Sequence, residues 1–170
     1  MQTTRCYRLL ILAAMLGGIC AAPAQADTYL GRIIRVADGD SLTLLDTQNR
    51  QHNIRLIGID APALAQAYGQ QAQASLAALA LDQKATALCY PPVLNQREIC
   101  TVTIGGQDIG LVQIRSGMAW WYLQNAAALS VATQSNYRQA EFHAKTRRLG
   151  LWDAKNPKPP WDWRPERLDQ

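Results

Sequence analysis

Three apolar runs open the chain after its first 28 residues: Ile33 to Val36, Leu42 to Leu45 and Ile54 to Ile59. They are separated by Asp38-Gly39-Asp40 and by the polar stretch Asp46 to Arg50. The separators are rich in residues that tolerate left-handed backbone or bond their own amides, so the pattern predicts three strands in a meander. Between Ala65 and Gln83 the pattern changes: Ala, Leu and Gln dominate, with Leu76, Leu79 and Leu81 near helical spacing, which predicts a helix. Two further strands are expected at about Ala85 to Cys89 and Ile99 to Ile104, ended by the turn Gly105-Gly106. A short helix from Ile109 to Ser116 closes at Gly117. A longer one runs from about Thr133 to Leu149, with Tyr137, Ala140, Glu141 and Ala144 on one face, basic residues in its last turn and Gly150 as the stop. Pro157, Pro159 and Pro160 predict that no helix follows. Five short strands and about three helices without βαβ alternation give an α+β domain built on a small barrel.

The N-terminus reads differently. Arg5 and Arg8 precede an apolar run of 14 residues, Leu9 to Ala22, and Ala24-Gln25-Ala26 supplies the small residues a signal peptidase accepts. The run contains Gly17 and Gly18 and is shorter than the ~20 residues of a spanning helix. Residues 1–26 are therefore expected to be a cleaved signal peptide, which places the mature protein in a periplasm or the medium without stable membrane association. A length of 170 residues with 48% hydrophobic composition supports one domain. That domain is expected over residues 27–155, followed by a Pro/Trp-rich tail at 156–170, and as a monomer. The net charge of +4 falls to +2 once Arg5 and Arg8 are set aside, leaving 15 basic against 13 acidic residues. Contact with nucleic acid would then depend on a few placed arginines and a metal rather than a general basic surface.

Without the leader only Cys89 and Cys100 remain, on either side of Pro91-Pro92 between two apolar runs. An oxidising compartment and a hairpin placement favour a disulfide, whose closure is worth about 3 kcal/mol in the chain-entropy picture. Free buried thiols are the alternative; neither histidine is near enough in sequence to suggest a metal site.

The stretch with most chemistry is Asp38-Gly39-Asp40-Ser41 followed, one hairpin later, by Arg55-Leu56-Ile57-Gly58-Ile59-Asp60-Ala61-Pro62. Asp40 starts one strand and Asp60 ends the next, so antiparallel pairing can bring two carboxylates together, a donor set that suits a hard cation. The bland reading is a turn and a helix entry. Arg55 alternates with Ile54 and Leu56 and needs an anion, either as a salt bridge to those carboxylates or as a phosphate clamp. Arg97 could be a second clamp or a solvated hairpin residue. His52 and His143 read as surface residues, and Trp120, Trp121 and Trp152 as core.

In order along the chain, Val36-Ala37-Asp38-Gly39-Asp40-Ser41, Arg55 to Pro62, Tyr68-Gly69-Gln70, Gly105-Gly106-Gln107-Asp108-Ile109, Gly117-Met118-Ala119-Trp120, Ala140-Glu141 through Gly150-Leu151-Trp152 and Pro159-Pro160-Trp161 resemble the thermonuclease (staphylococcal-nuclease-like) family. The resemblance implies an OB-fold five-stranded barrel with packed helices and hydrolysis of DNA and RNA phosphodiesters with Ca²⁺, single-stranded substrates preferred. It implies Asp40 and Asp60 as metal carboxylates, the Ala61 carbonyl as a further ligand, and Arg55 and Arg97 as the catalytic phosphate-binding arginines. Two positions depart from the pattern. Ala63 stands where the family has a glutamate acting as base or water-positioning group, and Leu94-Asn95-Gln96 replaces an Asp-Arg-Tyr-Gly-like turn. The resemblance therefore implies an enzyme weakened at one position, or a binding module that no longer cuts; a purely structural exported domain is the remaining reading.

Overall fold

A computed structural model of the protein describes residues 26–94 and 96–163, with the backbone alone at Pro92 and Leu94. The expected signal peptide, apart from Ala26, and the end of the tail lie outside the described residues. Among the described residues no helix is long and apolar enough to cross a membrane.

Strand β1 (Asp27–Val36) pairs with β2 (Ser41–Asp46), which pairs with β3 (Gln51–Leu56), forming the meander foreseen from the turn chemistry. On its other side β1 pairs with β5 (Lys84–Leu94), and β5 with β6 (Arg97–Ile104), all antiparallel. A parallel pairing of β3 with β6 closes the sheet, so β1, β2, β3, β6 and β5 form a five-stranded barrel. Ile33, Leu42, Leu44, Ile54, Leu56 and Val102 are buried in it. Closure leaves none of the five as a free edge.

Helix α1 (Gly69–Ala80) buries Ala72, Leu76 and Ala80. It is shorter than the apolar pattern predicts because Tyr68 (φ 66°) and Asp82 (φ 62°) adopt left-handed backbone at either end. The third apolar run does not stay one strand: the break at Gly58 (φ 74°) puts Asp60 not at the end of β3 but on a separate short strand β4 (Ile59–Asp60), and short strands β7 (Gln107–Asp108) and β8 (Trp120–Trp121) were not legible in the pattern. Helix α2 (Ile109–Arg115) is capped by Asp108, whose Oδ1 accepts from the Gly110 and Leu111 amides. Helix α3 (Val131–Thr146) is capped by Ser130 and buries Tyr137, Ala140 and Ala144.

Three sequence expectations are corrected. The Pro91-Pro92 stretch is not the hairpin turn: β5 runs through it to Leu94, with pairing to β6 interrupted between Tyr90 and Leu94, where two prolines cannot donate. A one-turn helix α4 (Pro160–Trp163) forms in the tail, because proline at the first helical position has no amide that needs an acceptor. His52 is buried, with Nε2 3.1 Å from Asp46 Oδ2 and Nδ1 3.1 Å from Glu98 Oε1, beneath the stacked Tyr29 ring at 3.8 Å. Cys89 and Cys100 are directly paired across β5 and β6 and form the expected disulfide.

Candidate active site

Gly39 sits where the β1–β2 turn presses against α1 and the strand β4 exit. A Cβ there would lie 2.6 Å from the Ala72 Cβ and 2.7 Å from the Ala61 Cβ, so only glycine permits this approach. The turn on either side is tied by its own groups: the Asp38 Oδ1 accepts from the Asp40 amide at 3.0 Å, and the Asp40 carbonyl accepts from the Leu56 amide at 2.8 Å. Gln113 of α2, fully buried, fixes it from beneath. Its Nε2 donates to the Gly39 carbonyl (2.9 Å) and the Ala72 carbonyl (3.0 Å), and its Oε1 accepts from the Ser75 hydroxyl (2.6 Å).

This scaffold brings four of the sequence-predicted residues together: Asp40, Arg55, Asp60 and Ala61. Arg55 Nη2 donates to Asp60 Oδ1 at 2.7 Å and stands 3.3 Å from Asp40 Oδ2. Asp40 Oδ2 also accepts from the Ala61 amide (2.9 Å) and Oδ1 from the Ser41 hydroxyl (2.8 Å). Both carboxylates are buried, at 2–3% side-chain exposure, and Arg55 nearly so. Burial works against a charge on Asp40, yet Arg55 together with the Ala61 and Ser41 hydrogen bonds holds it below the usual carboxylate range. Burial also works against a charge on Arg55, but Asp40, Asp60 and Asp38 raise it further. Asp38 is pushed up, first by burial and then by the neighbouring Asp40 charge.

Arg97 is placed nearby but not in this cluster. It lines an open cleft of about 260 Å³ with Asp38, Ser41, Thr43, Asn53 and Arg35. Strand geometry explains the position: Arg55 is paired with both Ser41 and Ile99, and Arg97 lies two residues before Ile99, hence on the same sheet face. Thr43 donates to Asn53 across the same face at 3.2 Å.

The loop after Asp60 is joined to the tail. Gln66 accepts from the Ala63 amide at 3.2 Å and donates to the Lys158 carbonyl at 2.6 Å. Asp60 pairs with Trp120 in the β4–β8 ladder. Trp161 packs edge-on to Trp120 (6.4 Å between centroids) and stacks with Tyr122 (5.2 Å, 29°) while remaining 42% exposed. Trp120 is core as expected, whereas Trp121 and Trp152 are only half-buried.

Sequence reasoning missed Gln113 and the Trp161 contact. A glutamine in the middle of the apolar helix Ile109–Arg115 was the available signal for the first. The second depends on a tail that folds back, which no local pattern encodes.

The cluster offers two buried carboxylates as oxygen donors, one arginine in contact with both, and a second arginine in the adjoining polar cleft. Residues 53–154 match the family described as "Staphylococcal nuclease homologue". A protein named micrococcal nuclease from Shigella flexneri is 33% identical over 163 residues, covering 90% of each chain. An uncharacterized endonuclease of Haemophilus influenzae is 33% identical over 133 residues, covering 78% of this chain and 71% of its own. Another uncharacterized endonuclease, from Escherichia coli O157:H7, is 31% identical over 136 residues, 79% of this chain and 84% of its own. With a closed five-stranded barrel and a family match over more than half of the chain, the chain belongs to the staphylococcal nuclease homologue family.

Proposed function

We propose that the protein is an exported, calcium-dependent nuclease that hydrolyses DNA and RNA phosphodiesters, slowed by the absence of a glutamate at position 63. The observation that carries this reading is the buried cluster of Asp40, Asp60 and Arg55 beside the Arg97 cleft. Carboxylate and carbonyl groups are hard oxygen donors, so the donor set fits Ca²⁺, with Asp40, Asp60 and the Ala61 carbonyl as the residues that would hold it. When bound, the ion would offset phosphate charge and polarise water. Arg55 and Arg97 would bind the non-bridging phosphate oxygens, where guanidinium geometry matches two oxygens at once and charge builds in the transition state. Ala63 offers no group to accept a proton from the attacking water, which in comparable cases costs ~10²–10⁴ in rate.

A preference for single strands is supported by the exposed Trp161 ring on the Tyr122 stack next to β4, since unpaired bases stack on such rings. Export is supported by the Cys89–Cys100 disulfide, which persists in oxidising compartments, and by the leader pattern. The second reading, a module that binds without cutting, is favoured by Ala63 alone. Cleavage of single-stranded DNA by the purified protein, with Ca²⁺ and with chelator, separates them. Turnover that appears with Ca²⁺ and vanishes with chelator supports the nuclease; binding without turnover in both supports the module.

A further inference from the structure

Charge is unevenly divided along this chain. Residues 27–108, which build the barrel, hold six basic and eight acidic residues, whereas residues 109–149 hold five basic residues against one acid, Glu141. That single acid is already engaged: its Oε2 accepts from Lys145 at 2.7 Å and its Oε1 from the Trp121 amide at 3.1 Å. The excess positive charge of the folded domain therefore belongs to α2, α3 and the residues that end α3.

Part of that charge converges on a groove. Between α2 and α3 runs a depression of about 470 Å³ lined by Leu111, Arg115, Asn136, Gln139, Ala140, His143 and Arg147. The α3 residues fall at intervals of three and four, one face of the helix turned toward α2. No carboxylate lines the groove, and neither Arg115 nor Arg147 has an ion-pair partner among the described residues. Such a lining, cationic side chains with two amides over a short apolar floor, suits the repeating phosphates and sugars of a nucleic-acid backbone.

The groove is separate from the candidate active site. Gln113 turns toward the Gly39 turn, while Leu111 and Arg115, two residues to either side of it, lie roughly 200° around the helix. The groove thus lies on a different face of α2 from the Gly39 turn, and a strand would have to pass around α2 to engage both.

We propose that the α2–α3 groove is a second nucleic-acid site, in which Arg115 and Arg147, helped by Asn136 and Gln139, hold the phosphate backbone of a strand remote from the cleavage point. The choice of nucleic acid as the polyanion rests on the nuclease reading, but the site does not require turnover. Its consequence is length dependence: long strands gain affinity from the groove and short ones do not.

Fluorescence anisotropy in the presence of chelator reads binding without cleavage. Two labelled single-stranded probes suffice, one of about 30 nucleotides and one of about four. Arg115→Gln/Arg147→Gln is expected to weaken the long probe about tenfold or more at low salt and to reduce the slope of log affinity against log salt by about 1.4, as for two lost single-strand phosphate contacts. The short probe should bind as to the unmodified protein. Arg32→Gln/Arg138→Gln removes the same charge away from the groove and is expected to have a much smaller effect. Equal losses for the two pairs, or equal losses on both probes, would overturn the proposal in favour of net charge alone. Arg147 lies at the C-terminus of α3 and Arg115 in the last turn of α2, where cations also stabilise the helix; that role alone would lower the melting temperature and leave the length dependence unchanged. Should the double variant fold poorly, the unmodified protein answers directly by NMR. The Asn136 and Gln139 side-chain amides should shift with the long probe only, and unmoved amides would refute the site. If the protein proves unable to cut DNA yet shows these shifts, the nuclease reading fails and the groove stands.

Discussion

Arg55→Ala is the most informative single substitution, because Arg55 bridges two buried carboxylates in the structure and is also the residue proposed to bind the phosphate. The guanidinium lies 2.7 Å from one buried carboxylate and 3.3 Å from another. At an effective dielectric constant near 20, each such contact contributes about 4 kcal/mol of attraction, much of it offset by desolvation of all three groups. Removing the arginine takes away the cation that both buried carboxylates contact, and losses of this kind run at about 3–5 kcal/mol. For a domain of this size that is a fall of roughly 10–15 °C in melting temperature. Thermal unfolding followed by circular dichroism, in chelator and at low salt, measures it. Adding Asp60→Asn to Arg55→Ala should recover part of the loss by removing one of the repelling charges. Millimolar Ca²⁺ should also restore stability to Arg55→Ala, by about 2.7 kcal/mol at a hundredfold excess over the dissociation constant. Cleavage should nevertheless stay depressed by ~10²–10³, since the lost donor acted on the phosphate. A melting shift worth less than about 1 kcal/mol, the range of an exposed ion pair, would refute the claim that this cluster is held by buried charge.

Ala63→Glu is expected to raise Ca²⁺-dependent turnover toward the ~10²–10⁴ that a positioned base supplies, with Asp40→Ala in the same background abolishing the gain. Unchanged turnover despite intact Ca²⁺ and nucleotide binding would move the defect elsewhere. Cys89→Ser/Cys100→Ser should cost about 3 kcal/mol in denaturant unfolding, and the unreduced wild type should show no reactive thiol. Burial works against a charge on Asp46, but the Arg50 amide, His52, the Arg50 guanidinium and the Gln48 amide together depress its carboxyl. Its contribution is thus present above the unfolded value of about 3.9 and lost as pH falls through the depressed folded value. Asp46→Asn should accordingly be destabilised at pH 7, with the gap to wild type closing only in strong acid; a gap that closes already above pH 5 would contradict this.

The meander, the central helix and the carboxylates were legible because each is written locally. Alternating apolar strands, turn residues such as Asp38-Gly39-Asp40, and Ala/Leu spacing depend only on near neighbours in the chain. A small barrel was expected, but which strands close it was not legible, because the parallel β3–β6 pairing joins Arg55 to Ile99 across more than forty residues and leaves no mark on either run. His52 illustrates a different limit. A polar residue in an alternating strand reads as solvent-facing, yet here Asp46 and Glu98 supply partners for both ring nitrogens and allow burial. Gln113 is hidden for the same reason, its amide satisfied by the backbone of Gly39 and Ala72. Arg55 and Asp60 were candidates from the strand pattern and the resemblance, but that the arginine bonds Asp60 and also reaches Asp40 depends on the β2–β3 register and on the break at Gly58 that separates β4 from β3.

The central claim, phosphodiester hydrolysis centred on Asp40 and Asp60, is tested most directly by comparing cleavage of single-stranded DNA by wild type and by Asp40→Asn in matched preparations with Ca²⁺. Because Asp40 carries charge that Arg55, Ser41 and Ala61 all support, its neutralisation removes a metal donor while keeping the side-chain shape. Measurable Ca²⁺-dependent turnover is expected in wild type and none above background in Asp40→Asn, with melting temperature confirming that the variant is folded. Equal turnover in the two proteins would contradict it.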